Sequence, residues 1–461
     1  MGGFPLGACF CNYGMHKLDI RPDKKTEEKL KRLAALAVPL FLGRAFALTL
    51  GVGDAVNLAL ENNISIERSE ITLNALKRAD RHSWNSVSPT VSLGASAGVP
   101  IDALSDTDSQ YSAAFGLSAT LSLNLSANLY TAVQTAKYNL EIGEIAFNDA
   151  VKDVELSVRQ TFYGLLYEKE NIALQERNMV VARQQYETNL KKYNAGRLSE
   201  LDVLSAEVSY KQCVPTVEGA KITYQNDLAS FKRLLGIPLD EEVELEGDLD
   251  SLVFLDEINI DGIQVSSSTV KTLEKRVAAA ENSVLDKRFS AYAPSLNASL
   301  SWRDQYWYAG YDGTAPDASK SATLTLSATI PLDGYLPWST KSDNVESAKD
   351  TLEDYRLQLE DAKTSQRISV DSYLRSIRQS QAAIKSKQAN VRLAQKSYDM
   401  TYDAYSRGTK DLLSLQSANS TLLSAQLSLK SEIYNLLKNL MALEKTLGVG
   451  FGSLSGADGE K

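Results

Sequence analysis

The sequence predicts a mainly α-helical protein with a small membrane β-barrel portion, built as two structural repeats that each join a long helical hairpin to two strands. Three observations carry this. The run from Ala136 to Gly236 is written again from Ala348 to Gly448, each landmark 212 residues later: Tyr186 returns as Tyr398, Tyr193-x-x-Gly196 as Tyr405-x-x-Gly408, and Leu235-Gly236 as Leu447-Gly448. A register held without a gap marks packed elements, because loops accept insertions. Helical periodicity also continues unbroken over about 67 residues, and four other segments alternate strictly with period two.

Composition narrows the class. Hydrophobic residues at 43% and charged residues at 23% are ordinary for a folded chain. No run of eighteen apolar residues is present to span a bilayer as a helix. Lys29, Lys31 and Arg32 precede the apolar run Leu33 to Leu42, and Ala45-Phe46-Ala47 follows with small residues at the spacing of a cleavage site. Residues 1–47 therefore read as a signal peptide with an N-terminal extension. Leu6-Gly-Ala-Cys9 has the outline of a lipoprotein box, but no basic group or apolar segment precedes it. Cleavage after Ala47 removes eight of 49 basic and four of 58 acidic residues, leaving 41 against 54 and a net charge of −13. That balance argues against nucleic acid as a partner. Cys9 and Cys11 leave with the leader, so Cys213 stands alone and a disulfide or cysteine metal site within one mature chain is excluded. His82 is the only histidine that remains. With no Ser-His or Cys-His pair and acids scattered along helix surfaces, the reading is not an enzyme, and no metal or cofactor is expected.

The elements follow in order. Val52, Ala55, Val56, Ala59 and Leu60 open a helix expected from about Leu50 to Ser83, and Pro89 ends the helical part of 48–88. Within the first hairpin, 89–126, Val91, Leu93, Ala95, Ala97 and Val99 alternate with Thr90, Ser92, Gly94, Ser96 and Gly98. Phe115, Leu117, Ala119, Leu121, Leu123 and Leu125 then alternate with Gly116, Ser118, Thr120, Ser122, Asn124 and Ser126. In the second hairpin, 294–337, Leu296 to Trp302 and Ala322 to Ile330 repeat the pattern. A soluble sandwich would put Lys and Glu on the outer face. Ser, Thr, Asn and Gly instead suit the polar lumen of a barrel, and Trp302, Tyr306, Trp307, Tyr308 and Tyr311 form an aromatic girdle at one strand end. Four strands cannot close a barrel, so it must be shared between chains.

Helix from about Ala127 to Tyr193 would rise roughly 100 Å at about 1.5 Å per residue. The return comes in two parts, Ser199 to Leu235 and Ser267 to Tyr292, read as stacking end to end across an equatorial segment at 239–266. The first-repeat helices thus occupy 48–88 and 127–238, and the second-repeat helices 267–293 and 338–448, with Asp411 to Leu447 expected to stack on the N-terminal helix. Pro215 lies inside the first returning helix where the second repeat has Leu427, and a bend there is expected in one half alone. The tail, 449–461, reads as disordered.

Laid out in this way, the chain resembles a TolC-type outer-membrane efflux protein, or outer membrane factor, over nearly all of Leu48 to Gly448. The likeness rests on Leu48-Thr-Leu with Asp54-Ala55 and Ala59-Leu60-Glu61-Asn62-Asn63, on strand pairs led by Pro89 and Pro294, and on Tyr-x-x-Gly followed ten residues later by Ala206 and by Ala418. It implies a homotrimer in outer-membrane lipid. Three chains would contribute four strands each to a twelve-stranded barrel on an α-helical periplasmic tunnel, serving an inner-membrane pump and a periplasmic adaptor (membrane fusion protein). In similar proteins an acid of the first turn latches the closed mouth to a Tyr and a base of the second. Asp202, Tyr405 and Lys410 match those places. Glu200 lies beside them, and Ser414 and Ser417 stand where relatives often carry Asp, which implies a weaker cation preference. Gly196, Arg197, Leu198, Ser199, Gly408, Thr409 and Lys410 match the turns that meet the adaptor. Drugs, small molecules or secreted proteins, as in type I secretion, are the substrate classes implied. A periplasmic coiled-coil adaptor or scaffold is the alternative, and a soluble helical-bundle binding protein a weaker one; neither needs four strands alternating leucine with serine or threonine.

Overall fold

The computed structural model describes residues 48–98, 112–253, 267–309 and 317–454. The chain divides into a small unit, whose described part is Leu48 with Glu242–Glu244, and a main body of Thr49–Glu241 with Leu245–Lys461. Within the small unit the Leu48 amide donates to the Glu242 carbonyl. The expected signal peptide lies outside the described residues, and described structure begins with strand β1, Leu48–Leu50.

In the main body, α1 (Val52–Asn62) and α2 (Ile64–Arg81) are two helices, not the single one expected. Asn63 causes the break. Its backbone is extended, its Oδ1 accepts from the Ser65 amide at 2.8 Å as the N-cap of α2, and its Nδ2 donates to the Leu234 carbonyl at 2.7 Å. A side chain that satisfies an orphan amide of one helix and an orphan carbonyl of another favours the interruption over continuous helix.

Strands β2 (Thr90–Gly98) and β3 (Ser112–Ser126) lead to α3, Asn128–Asn194, a single helix of 67 residues. Helix α4 (Glu200–Leu235) returns, passing Pro215 without interruption, followed by the short strand β4 (Val243–Leu245) and helix α5 (Ser268–Tyr292). The second half repeats the plan. Strands β5 (Ser295–Ala309) and β6 (Asp317–Thr329) precede α6 (Thr340–Ser406) and α7 (Leu412–Leu447), with the lengths of α3 and α4 reproduced at 67 and 36 residues.

The four long strands form one antiparallel sheet in the order β2-β3-β5-β6. Its register aligns Val91, Leu121, Leu300 and Leu324 across one face and Thr90, Ser122, Ser299 and Thr325 across the other. The apolar face is bare in the single chain: Leu93 is 85% exposed and Leu326 74%. Of the expected girdle, Trp302 and Tyr306 fall on that face; the side chains of Trp307 and Tyr308, and all of Tyr311, lie outside the described residues.

Helix stacking differs from the expectation. Along α6, Arg356 and Lys363 pair with Glu281 and Glu274 of α5, and then Gln366 and Lys387 bond to Thr446 and Glu432 of α7. Helices α5 and α7 therefore succeed one another, while α2 and α4 succeed one another along α3. Gly236 fixes the second junction. It caps α4 at φ +73°, and an added Cβ would stand 2.5 Å from the Asn62 carbonyl. The repeat unit closes on the helix before its own hairpin, a relationship that a linear text leaves open.

The core is densest where the helices change partners. Phe162 and Phe231 pack with ring centroids 6.3 Å apart, and Leu165, Leu235, Leu436, Leu443 and Leu447 are buried. The equatorial stretch contributes Leu245 and Leu249, both buried. The tail expectation needs correction too. Phe451 is buried under the Arg159 guanidinium, and Oε1 of the buried Glu444 accepts from the amides of Gly452 and Leu454 at 3.0 Å each. Residues 449–454 are thus held in place, because a buried carboxylate must be satisfied and this stretch supplies the donors, while 455–461 lie outside the described residues.

Candidate functional site at the helix turns

Both long hairpins turn by the same device. After α3 the Gly196 amide donates to Tyr193 and the Arg197 amide to Lys192; after α6, Gly408 and Thr409 repeat these bonds to Tyr405 and Ala404. Gly196 and Gly408 hold φ at +70° and +77°, the left-handed conformation that closes a helix and is cheap for glycine alone. The returning helices start on side-chain caps. Ser199 Oγ accepts from the Asp202 amide at 3.2 Å, and Asp411 Oδ1 from the Ser414 amide at 2.9 Å.

Polar contacts tie the two hairpins together above these turns. The Tyr405 phenol donates to Asn189 Oδ1 at 2.7 Å and accepts from Gln185 Nε2 at 2.8 Å, while the Lys192 ammonium sits 5.1 Å above the Tyr405 ring. Asn189 is fully buried. Burial pushes the Tyr405 phenol above its ordinary range against the pull of Asn189 and Gln185, and the nearby Asp202 charge adds to the rise, so the phenol stays protonated and remains a donor. Further up, Gln416 donates to Ser209 at 2.8 Å and Asn419 to Asn178. A cavity of about 400 Å³ lies between these links, lined by amides including Gln175, Gln185 and Gln212 and by Cys213, whose thiol is pushed up by burial.

The expected site residues divide into two groups. Lys410, Ser414 and Ser417 line one shallow cavity of about 480 Å³ on the α6–α7 side. Asp202 sits on the other hairpin. Within one chain it is not joined to Tyr405 or Lys410 as the resemblance implies: the Ser199 hydroxyl donates to its Oδ2 at 2.6 Å, and Tyr405 is taken by Asn189 and Gln185. A capping partner three residues away orders little extra chain, so the local bond prevails. Glu200, Arg197, Ser199, Thr409 and Lys410 are exposed at the turns, and Leu198 is half-buried. Gln185, Asn189 and Lys192 were not singled out from the sequence. Their signal lay in the aligned repeats, where Ser397, Thr401 and Ala404 stand opposite them.

Two hairpins of identical turn geometry, joined to a sheet with one apolar and one polar face, agree with an independent comparison. A family model described as outer membrane efflux protein matches residues 55–237 and 260–449. The chain belongs to the outer membrane efflux protein family. No curated protein matches it. Among solved structures, the fold is similar to the CmeC outer membrane channel of Campylobacter jejuni, at TM-score 0.72 and 18% identity over 87% of this chain and 86% of that one. The outer membrane protein VceC of Vibrio cholerae gives 0.68 and 17% over 87% and 96%. The open state of the MtrE outer membrane channel of Neisseria gonorrhoeae gives 0.67 and 19% over 87% and 89%. Identities this low speak for the fold alone. The family is one of outer-membrane efflux channels and not of enzymes. Among the described residues, no helix is long and apolar enough to cross a membrane.

Proposed function

We propose that three copies of this chain form an outer-membrane channel continued into the periplasm by a helical tunnel, and that the assembly exports substrates with a periplasmic adaptor and an inner-membrane pump. One observation carries the reading: β2 and β6 are the outer strands of a sheet with one bare, leucine-rich face and one face of serine, threonine, asparagine and glycine. An open edge beside bare apolar surface is satisfied in lipid by pairing β6 of one chain with β2 of the next until the ring closes. Residues 1–47 direct export and are removed.

At the periplasmic end, Gly196, Arg197, Leu198, Ser199, Gly408 and Thr409 present the two turns to the adaptor. Asp202, Tyr405, Lys410, Glu200, Ser414 and Ser417 line the mouth, Asp202 meeting its latch partners across a chain boundary. With serines at 414 and 417 the mouth carries few carboxylates, and its cation preference is weak. Planar-bilayer recording tests this. Stepwise conductance with a small reversal potential in a salt gradient is expected; absence of channels from folded, membrane-extracted protein would overturn the reading.

A further inference from the structure

The apolar face of the sheet carries two charged groups among its described residues, and the register sets them side by side. Asp304 pairs with Lys320, in a row that continues through Leu117 to Ala95. The Lys320 ammonium is 3.4 Å from Asp304 Oδ2, which also accepts from the Tyr306 hydroxyl at 3.1 Å. The two side chains are not equally accessible: Lys320 is 65% exposed and Asp304 7%. Asp304 Oδ1 is buried and has no hydrogen-bond partner.

Depth decides what this pair meets. Asp304 lies nine residues beyond Ser295, where β5 leaves the helical end. At about 3.3 Å per residue that is roughly 30 Å along the strand, and a tilt of about 40° reduces it to roughly 23 Å of depth, close to the ~25 Å apolar band of a barrel. The pair thus sits at the far edge of the band. Trp302 and Tyr306, two residues to either side of Asp304 on the same face, are the amphipathic rings expected at that level. A lysine there costs little, whereas at the midplane it would cost about 2–4 kcal/mol.

We propose that Lys320, pinned by Asp304, binds the phosphate of an anionic lipid headgroup in the outer leaflet. An ammonium has three donors and the carboxylate occupies one side of it, so the exposed side faces the headgroups with its hydrogens free. The buried carboxylate keeps the lysine stem from swinging away into water, and the Tyr306 hydroxyl holds the carboxylate. The proposal rests on the reading that this face meets lipid.

The test uses the full protein in phosphatidylcholine vesicles containing a minority of phosphatidylglycerol, with either lipid brominated in its acyl chains, and reads quenching of the tryptophan fluorescence. One uncompensated basic residue at a surface enriches anionic lipid about fivefold, and the Asp304 carboxylate offsets part of that for Lys320. Wild-type protein should show brominated phosphatidylglycerol quenching in excess of its bulk fraction by up to that factor, Lys320→Gln quenching at or below the bulk fraction, and Lys320→Arg the excess restored. Quenching by both lipids in proportion to their bulk fractions in the wild type overturns the lipid site and leaves the membrane sheet standing. Absence of quenching by either lipid removes the membrane reading and the lipid site together.

Discussion

The phenol of Tyr405 at the foot of α6 donates to Asn189 Oδ1 of α3 at 2.7 Å, and Asn189 is fully buried. This bond joins the two repeats within one chain just above their turns. It competes with any latch that draws Tyr405 toward Asp202.

Removing the phenol leaves Asn189 Oδ1 still accepting from Gln185 Nε2 at 3.0 Å and should cost about 0.5–1.5 kcal/mol. Tyr405→Phe is expected to lower the unfolding midpoint and lengthen channel openings. Asn189→Ala should also lower the midpoint but, by freeing the Tyr405 phenol for the latch, shorten channel openings. Unchanged gating in both variants would place the clasp outside the gate.

Gly236 and Gly408 both occupy left-handed backbone, but their surroundings differ. An added Cβ at Gly408 meets open space and at Gly236 meets the Asn62 carbonyl. Gly408→Ala should cost about 1 kcal/mol, as expected for alanine forced into that conformation. Gly236→Ala should cost clearly more and loosen the α1–α4 junction. Denaturant midpoints of the two variants give the comparison.

The Glu168 carboxyl is pushed up to about 7, first by burial and then by the hydrogen bond and repulsion of Asp227. A carboxyl whose folded value lies above its unfolded value of 4.5 opposes folding once it must ionise. Its cost is absent below the unfolded value, grows as pH rises through that range, and is complete above about 7. The midpoint of thermal unfolding should fall between about pH 5 and pH 8 in the wild type, and Glu168→Gln should flatten the slope. A slope unchanged in the variant would assign the effect to other groups.

The capping side chains of the returning helices are the same device in two chemistries. Ser199→Ala and Asp411→Ala should each cost about 1 kcal/mol, with the matching glycine variants within a few tenths of wild type. Chemical denaturation of the four variants measures this. Equal loss in the alanine and glycine variants of one site would mean that its side chain does more than cap.

Much of the fold was legible because its signals are local. The helix read from Ala127 to Tyr193 is found at Asn128–Asn194, and those read from Ser199, Ser267 and Asp411 start one residue later because these residues are their caps. Strand alternation and the turn glycines are equally local. The remainder depends on contacts between distant segments. Asn63 looks like one more helical residue until Leu234 is beside it, and helix order along α3 and α6 appears only in contacts between distant segments, such as Gly236 against Asn62 and Arg356 with Glu281. Above the turns, Gln185 and Asn189 have the spacing of solvated surface residues. Only the approach of Tyr405 makes them its bonding partners and Asn189 a buried one, whereas Gly196, Gly408 and the two caps were readable as a turn.

A barrel shared between chains is tested most directly by the native mass of the protein extracted from membranes in detergent, before and after heating. A trimer from the outer membrane that requires detergent and falls to single chains on heating is expected. A water-soluble monomer or dimer released from the periplasm would contradict it, because the apolar sheet face would then have no lipid to meet.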